Sequence, residues 1–315
     1  MPRTETLNLP IEGHCLEVRR IHADSPHGPT LVFLHEGLGS VSLWRDWPDQ
    51  LCAVLGCEGL VYSRRGYGQS EAIADVRGPA RTVAGRREGR LLPDYMHHEA
   101  LQVLPALLRT LHIERPVLLG HSDGGTIALI HASHHRVRAC IVMAPHIVVE
   151  AMSIESIELA REAYIQGCLR SRLAAHHADV DNAFWQWNDI WLSPEFRGFD
   201  IRPELAGIHA PLLAIQGHED PYGSLLQIDG IAERVPQTQR LVLAHCGHSP
   251  QRDQSAAVQA AIAAFMRALP AASETDPPHL ASATGQGPDR PAVAVHRSAS
   301  GEGSPPDCPL PPAFA

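Results

Sequence analysis

Short apolar runs alternate along the chain with longer segments in which apolar residues recur at helical spacing. Several of the short runs are apolar without interruption, as strands buried on both faces are. The predicted strands cover residues 15–21, 30–35, 59–63, 116–121, 138–145, 210–218 and 239–245. Helices are predicted over about 95–111 and about 254–269, and directly after the strand 116–121. Strands separated by helices predict an α/β fold whose sheet is mostly parallel, with helices on both faces.

Three segments depart from this alternation. Residues 75–90 are polar and rich in arginine, with no strand pattern. Residues 146–207 show helical patterns only, which predicts a helical cap inserted into a core made of 1–145 and 208–270. Such an insertion commonly lies over the C-terminal edge of the sheet, where ligands bind in open α/β folds. Residues 271–315 are dominated by Pro, Gly, Ser and Ala, so we expect a disordered tail.

Charge and composition narrow the classes of function. The net charge of -9 opposes nucleic-acid binding, which needs a basic face. No apolar run reaches the ~20 residues of a membrane span, and the N-terminus lacks the apolar core of a secretory signal, so we expect a cytoplasmic protein. Seven cysteines without a CxxC pair indicate free thiols. Adjacent histidines point about 100° apart on a helix, so the two rings of a pair do not face one metal ion. We expect no metal and no other cofactor.

The sequence Gly120-His121-Ser122-Asp123-Gly124 lies between a predicted strand and a predicted helix. It matches the G-x-S-x-G turn, in which glycines two positions before and after the serine avoid clashes in a crowded backbone. The following helix would direct free N–H groups and its positive dipole end at the serine. We therefore expect Ser122 to be a nucleophile, with the N–H of Asp123 as an oxyanion donor.

A serine nucleophile needs a base, and the base needs an acid that orients its imidazole. In the chain order Ser, acid, His, the base follows the last strand and the acid follows the strand before it. His248 lies in the loop before the final helix and is favoured over His245, which ends the strand. Asp220 is favoured as the acid, with Glu219 as the alternative.

Two further groups of residues are candidates for the site. The loop after the strand 30–35 should supply a second oxyanion donor, and Gly37 and Leu38 are equal alternatives because only a backbone N–H is required. The predicted cap contains three tryptophans within seven positions, Trp185, Trp187 and Trp191. They could line an apolar acyl or aryl pocket, or pack as the core of the cap.

Over about residues 15–269 the chain resembles the α/β-hydrolase superfamily. The resemblance rests on LHEGLGS, SRRGYGQS, GHSDGG, GHEDPYG and CGHSPQRD, in that order. It implies an esterase-like mechanism with Ser122, Asp220 and His248 as a catalytic triad. The serine argues against the epoxide hydrolases and dehalogenases of the superfamily, whose nucleophile is aspartate. The chain departs from the common pattern at Glu36, which follows His35 in place of glycine, and at Arg64, where many relatives carry an acid.

Within the superfamily, GHSDGG followed by MAPHIVVE and a helical cap is similar to the biphenyl-hydrolase-like group, which includes valacyclovir hydrolase. That likeness implies that the Asp123 side chain holds a substrate ammonium group. The alternative is that Asp123 is only an acidic first-turn residue favoured by the helix dipole. The cap also resembles those of carbon–carbon hydrolases acting on ring-cleavage products, and of enol-lactonases.

Three hypotheses of function follow. The first is a serine hydrolase that cleaves a small ester, lactone or thioester through an acyl-enzyme on Ser122. The second uses the same triad to cleave a carbon–carbon bond of a vinylogous diketone. The third is a non-catalytic relative that binds a ligand, but such proteins usually lack a triad member, and here all three are present. In each case the expected partner is a small molecule, with no nucleic acid and no membrane.

Overall fold

The computed structural model describes residues 2–23 and 28–270. The strands are β1 (Arg3–Ile11), β2 (His14–His22), β3 (Leu31–Leu34), β4 (Gly59–Tyr62), β5 (Arg81–Val83), β6 (Arg86–Glu88), β7 (Val117–His121), β8 (Ala139–Met143), β9 (Leu212–Gly217) and β10 (Thr238–Leu243). Eight of them form one sheet in the order β1-β2-β4-β3-β7-β8-β9-β10, while β5 and β6 form a separate hairpin. Neighbouring strands are parallel from β4 to β10, and β2 joins β1 and β4 in antiparallel pairs. The predicted α/β class with a mostly parallel sheet is confirmed.

Helices connect the strands of the sheet. They are α1 (Trp47–Leu55), α2 (Tyr95–His98), α3 (Leu104–Thr110), α4 (Asp123–His134), α5 (Ala151–Ile165), α6 (Cys168–Ala174), α7 (Val180–Trp191), α8 (Leu226–Arg234), α9 (Pro250–Asp253) and α10 (Ser255–Ala268). A π-helical turn, Glu99–Val103, separates α2 from α3, so the helix predicted over 95–111 is not regular throughout.

The sheet divides the hydrophobic core into two clusters. Successive side chains of a strand point to opposite faces, so neighbours in sequence belong to different clusters. In β3, Val32 and Leu34 pack in the cluster that contains buried residues of α3 and α4. Leu31 and Phe33 pack in the other, with buried residues of α1 and α10. Burial on both faces explains why this strand is apolar at every position.

Between β8 and β9 the chain is almost entirely helical. This stretch contains α5, α6 and α7, followed by the short 3-10 helices Pro194–Gly198 and Leu205–Gly207. Its only extended pairing among the described residues is the single bridge between Val148 and Asp200. The predicted disordered tail, 271–315, lies outside the described residues.

The cysteines depart in part from the sequence expectation. Free thiols are present at Cys15, Cys52, Cys57, Cys140 and Cys246. Cys168 is disulfide-bonded, so the prediction of free thiols throughout was wrong at this position. In the part of the chain that the structure describes, no helix is both long and apolar enough to cross a membrane.

Candidate active site

Ser122 stands on a sharp turn between β7 and α4. Its backbone has φ 52° and ψ -119°, a strained conformation for a residue with a side chain. A Cβ atom on Gly120 would overlap the carbonyl oxygen of Gly124, and one on Gly124 would overlap the carbonyl oxygen of Leu34. Both glycines are therefore required by close backbone approach, as the sequence motif predicts.

The structure brings the three predicted triad residues together at the C-terminal edge of the sheet. Ser122 follows β7, Asp220 follows β9 and His248 follows β10. The Ser122 Oγ lies 2.9 Å from His248 Nε2, and His248 Nδ1 lies 2.9 and 2.8 Å from the two carboxylate oxygens of Asp220. A carboxylate only accepts, so Nδ1 carries the proton and Nε2 is left to accept from the serine hydroxyl. All three side chains are buried.

Three hydrogen-bond donors hold Asp220 as a carboxylate. Its Oδ1 accepts the backbone N–H of Tyr222 at 2.8 Å, and its Oδ2 accepts from Gln216 Nε2 at 2.7 Å. Burial raises the pKa of Asp220, but the charge and hydrogen bond of His248 and the Tyr222 N–H outweigh it, and the pKa lies below its ordinary value. The acid is therefore fixed in charge and in direction.

The alternative candidates for the base and the acid lie away from this site. The side chain of His245 is 91% exposed, and its Nδ1 is 3.1 Å from Glu219 Oε1. Glu219 is likewise exposed and bonds to His245 rather than to His248. The loop thus presents Asp220, the residue favoured from the sequence, inward and Glu219, the alternative, outward.

Both predicted sources of oxyanion donors border the same cavity as Ser122. Asp123 opens α4, where the first N–H groups have no acceptor within the helix. Gly37 and Leu38 also line the cavity, in the loop after β3. The Leu38 carbonyl oxygen accepts from His177 Nε2 at 3.1 Å, which ties this loop to the helical stretch after β8.

The Asp123 side chain is buried in a polar cluster behind the serine. Its Oδ2 accepts from the Tyr95 hydroxyl at 2.7 Å and lies 3.9 Å from Arg64 Nη2. Its Oδ1 has no hydrogen-bond partner among the described residues. Burial raises the pKa of Asp123, and Arg64 and Tyr95 only partly oppose this rise.

A cavity of about 390 Å³ opens in front of Ser122. Helices α5, α6 and α7 contribute apolar side chains to it, namely Ile157, Leu173, Trp187 and Trp191. Trp185 does not line the cavity, so its predicted place in the pocket was wrong. It packs instead against Tyr164 and Phe184, with the Arg77 guanidinium 3.9 Å from its ring centre.

The sequence did not point to several residues that surround the triad. Gln216 is fully buried in β9, and its amide holds Asp220. His121 directly precedes the serine, and its Nε2 lies 2.6 Å from the carbonyl oxygen of His248. A polar residue inside an otherwise apolar strand is a signal that could have identified Gln216. His146 also lines the cavity, with its ring centre 5.7 Å from that of His248.

Among the described residues, no group of three or more His, Cys, Asp or Glu side chains is arranged to hold a metal ion. The adjacent histidine pairs serve separate hydrogen bonds. His97 bonds to Glu204, and His177 accepts the Gly68 N–H at its Nδ1.

Comparison with known proteins gives one family. Residues 31–261 match the model of the family described as "Alpha/beta hydrolase family". A protein named "Putative carbamate hydrolase RutD" from Pseudomonas syringae pv. syringae (strain B728a) is 28% identical over 281 residues, which cover 79% of this chain and 96% of that protein. Its counterpart from Pseudomonas savastanoi pv. phaseolicola is 27% identical over 260 residues, covering 72% of this chain and 88% of that protein.

Solved structures show the same fold. The enol-lactonase from Burkholderia xenovorans LB400 superposes with a TM-score of 0.64 at 18% identity, covering 82% of this chain and 99% of that chain. The meta-cleavage product hydrolase from Pseudomonas fluorescens IP01 gives a TM-score of 0.62 at 16% identity, covering 84% and 97%. At such low identity these likenesses concern the arrangement of the chain and not its substrate.

Proposed function

The chain belongs to the alpha/beta hydrolase family, and on this premise we propose that it is a serine hydrolase acting on a small carboxylic ester, lactone or thioester. One observation carries the proposal. A continuous series of hydrogen bonds runs from the Ser122 hydroxyl through His248 to Asp220, and all three side chains are buried beside a cavity of about 390 Å³. A volume of that order suits a small organic substrate.

In the proposed acylation, the Ser122 Oγ attacks the carbonyl carbon of the substrate while His248 Nε2 takes the hydroxyl proton. The new C–O bond pushes an electron pair onto the carbonyl oxygen, which the N–H of Asp123 and an N–H of the loop after β3 stabilise. Asp220 keeps the proton on Nδ1 and stabilises the imidazolium. The tetrahedral intermediate then expels the leaving group, which receives the proton from Nε2.

Deacylation repeats these steps with water as the nucleophile. His248 Nε2 removes a proton from the water while its oxygen attacks the acyl carbon, and the same N–H groups receive the second oxyanion. Expulsion of the Ser122 Oγ, which regains a proton from His248, releases the acid. No cofactor is required by this scheme.

Carbamates belong among the substrates to be tried, because the curated relatives with which the chain shares 28% and 27% identity are named as carbamate hydrolases. A vinylogous diketone belongs there too, since the fold is shared with a meta-cleavage product hydrolase. The ester or lactone is preferred because an acyl-enzyme uses each member of the triad directly.

We further propose that Asp123 favours substrates with an amino group close to the acyl carbon. The support is its Oδ1, a buried carboxylate oxygen that has no hydrogen-bond partner among the described residues, on a residue that lines the cavity. A buried acceptor without a partner is costly, and a substrate ammonium would satisfy it. The p-nitrophenyl esters of phenylalanine and of 3-phenylpropionate differ only in that amino group. We expect kcat/KM to favour the first by about tenfold or more, and equal values would contradict the role.

The test of the proposed reaction is hydrolysis of p-nitrophenyl acetate and butyrate. Ser122→Ala should lose about 10³-fold or more of the wild-type kcat, as removal of a triad nucleophile does elsewhere. Ser133→Ala is the matched control, because that hydroxyl lies on α4 away from the cavity and donates to the Ile130 carbonyl oxygen. Equal rates in the wild type and in Ser122→Ala would exclude the serine as nucleophile.

A further inference from the structure

Arg64 is the second residue after β4, and its guanidinium is buried, with only 5% of the residue exposed. A buried guanidinium is costly unless its donors are paired. Its Nη1 donates to the His35 carbonyl oxygen at 2.5 Å, and its Nη2 donates to the Glu36 carbonyl oxygen at 3.0 Å. Both acceptors belong to the loop after β3. The charge of Arg64 is thus directed at the backbone of the loop that borders Ser122.

Three donors converge on the Glu36 carbonyl oxygen. Besides Arg64 Nη2, His35 Nδ1 lies 2.7 Å away and the Gly39 N–H donates at 3.1 Å. The backbone N–H of Arg64 donates to His35 Nε2 at 3.0 Å, so the ring proton must be on Nδ1, where it points at Glu36. Arg64 therefore acts on this carbonyl twice, once directly and once by fixing the tautomer of His35.

The Glu36 carbonyl shares its peptide group with the N–H of Gly37. No cis peptide bond occurs among the described residues, so this N–H points away from the side on which the three donors meet. Gly37 lines the cavity with Ser122, and we assign its N–H to that side of the peptide. Of the two alternatives from the sequence, Gly37 and Leu38, the geometry favours Gly37, because this arrangement fixes the direction of its N–H.

The same guanidinium also faces the other oxyanion donor. Its Nη2 is 3.9 Å from Asp123 Oδ2, and Asp123 supplies the N–H at the start of α4. The Tyr67 ring packs against the guanidinium, with 4.9 Å between its centre and Arg64 Cζ. One buried cation thus contacts the backbone of the loop after β3 and the side chain of the residue that carries the other N–H donor.

We propose that Arg64 is a positioning residue of the oxyanion hole, which orients the Glu36–Gly37 peptide and polarises its N–H toward the reacting carbonyl oxygen. This inference rests on the proposed function. A donor on the carbonyl side of a peptide makes its N–H a stronger donor on the other side, because hydrogen bonds in series polarise one another. The effect is largest when the acceptor is an oxyanion, so it acts on the transition state more than on substrate binding.

The test compares Arg64→Lys with Arg65→Lys. Lysine keeps the positive charge but lacks the planar fork that spans two carbonyl oxygens. Arg65 is the matched control, since its guanidinium bonds to the Glu88 carboxylate and the Arg87 carbonyl oxygen, and not to the loop after β3. The readouts are kcat and KM for p-nitrophenyl butyrate, and Ki for an aliphatic trifluoromethyl ketone, whose adduct with a serine is an oxyanion. Circular dichroism and thermal melting establish folding.

For Arg64→Lys we expect kcat to fall about 10- to 100-fold and Ki to rise by a similar factor, with KM within about threefold. The effect should be smaller than the ~10²–10³-fold typical of deleting an oxyanion donor. Unchanged kcat and Ki in folded Arg64→Lys, or an equal loss in Arg65→Lys, would overturn the inference. Wild-type activity that does not depend on Ser122 would instead overturn the proposed function.

If Arg64→Lys fails to fold, an NMR measurement on the wild-type protein still tests the inference. In ¹⁵N-labelled wild type, binding of the trifluoromethyl ketone should move the amide proton of Gly37 downfield by more than 1 ppm, roughly the scale of a strong charge-assisted hydrogen bond. The Leu38 amide should move much less. A larger shift at Leu38 than at Gly37 would overturn the assignment of the donor.

Discussion

Replacing Asp220 with asparagine removes the negative charge next to His248 while keeping the size of the side chain. Both carboxylate oxygens now accept from fixed partners, Oδ1 from the Tyr222 N–H and Oδ2 from Gln216 Nε2. The backbone donor cannot rotate, so the asparagine oxygen should take the Oδ1 position. Its amide nitrogen then occupies the Oδ2 position, 2.8 Å from His248 Nδ1.

Two donors facing each other at that distance favour the other tautomer of His248, with Nδ1 as acceptor and the proton on Nε2. A protonated Nε2 cannot take the hydroxyl proton of Ser122. Even the tautomer that keeps Nδ1–H loses the carboxylate that stabilises the imidazolium. We expect kcat/KM to fall about 10³- to 10⁴-fold, which corresponds to about 4–5.5 kcal/mol of transition-state stabilisation.

The assay is hydrolysis of p-nitrophenyl butyrate, with melting temperature as the check on folding. Glu219→Gln is the matched control, because it removes a carboxylate one residue away that lies on the surface with His245. We expect its kcat/KM to stay within about twofold of the wild type. If Asp220→Asn kept more than a tenth of the wild-type activity while Ser122→Ala abolished it, the reasoning on the tautomer would be refuted.

Three further outcomes are expected. Trp187→Ala should raise KM for p-nitrophenyl butyrate by about tenfold in steady-state kinetics, because it removes an apolar wall of the cavity. Gly124→Ala should lower the free energy of unfolding in urea by roughly 3 kcal/mol, since its Cβ would overlap the Leu34 carbonyl oxygen. Burial raises the pKa of Glu36, but the hydrogen bond and charge of His121 outweigh it and lower the pKa to about 2. Because the folded-state pKa is lowered, this carboxylate stabilises the fold fully above pH 4.5 and progressively less as the pH falls to 2, which urea midpoints between pH 2 and 6 would reveal.

Each of these outcomes has an internal control. Trp185→Ala should leave KM unchanged, and an equal rise in both tryptophan variants would contradict the position of Trp187. Gly198→Ala should change stability by less than about 0.5 kcal/mol, because a Cβ there meets no atom within 4 Å. Glu36→Gln should flatten the decline between pH 4.5 and 2, and a curve parallel to that of the wild type would rule out Glu36 as its source.

The apolar pattern predicted the central strands because they are buried on both faces, as Leu31–Leu34 shows. It could not predict β1, in which most of Arg3–Ile11 is exposed and only β2 lies alongside. The hairpin of β5 and β6 was not predicted for a similar reason, since each strand has three residues and most of these residues are exposed. Exposed strands at the edge of a fold pair through backbone hydrogen bonds, which have little effect on the pattern of apolar and polar residues.

The order of the serine, acid and histidine along the strands could be predicted, because this chemistry requires them at one edge of the sheet. Asp220 was favoured over Glu219 from the sequence, but the directions of their side chains, toward His248 and toward the surface, are seen only in the structure. Trp185 was misplaced although helix geometry separates it from Trp187 by about 200°, while Trp187 and Trp191 lie about 40° apart. That error was avoidable from the sequence.

Arg64 and Glu36 show where sequence reasoning ends. In the sequence, both residues were noted only as departures from the common pattern of the superfamily. Neither has an obvious interaction partner close to it in the sequence. Their interaction joins residues 28 positions apart through a backbone carbonyl, which carries no sequence identity. A contact of this kind becomes visible only when the two loops after β3 and β4 are seen side by side.

The positions of the proposed triad along the chain also set the order in which it is completed during synthesis. When the ribosome has added the last residue of β9, Gly217, the chain already contains Ser122 and the loop after β3, but not Asp220 or His248. At about 5–20 residues per second, His248 follows some seconds later. Nascent chains interrupted before that point lack the proposed base, because His248 follows β10, the last strand of the sheet in chain order.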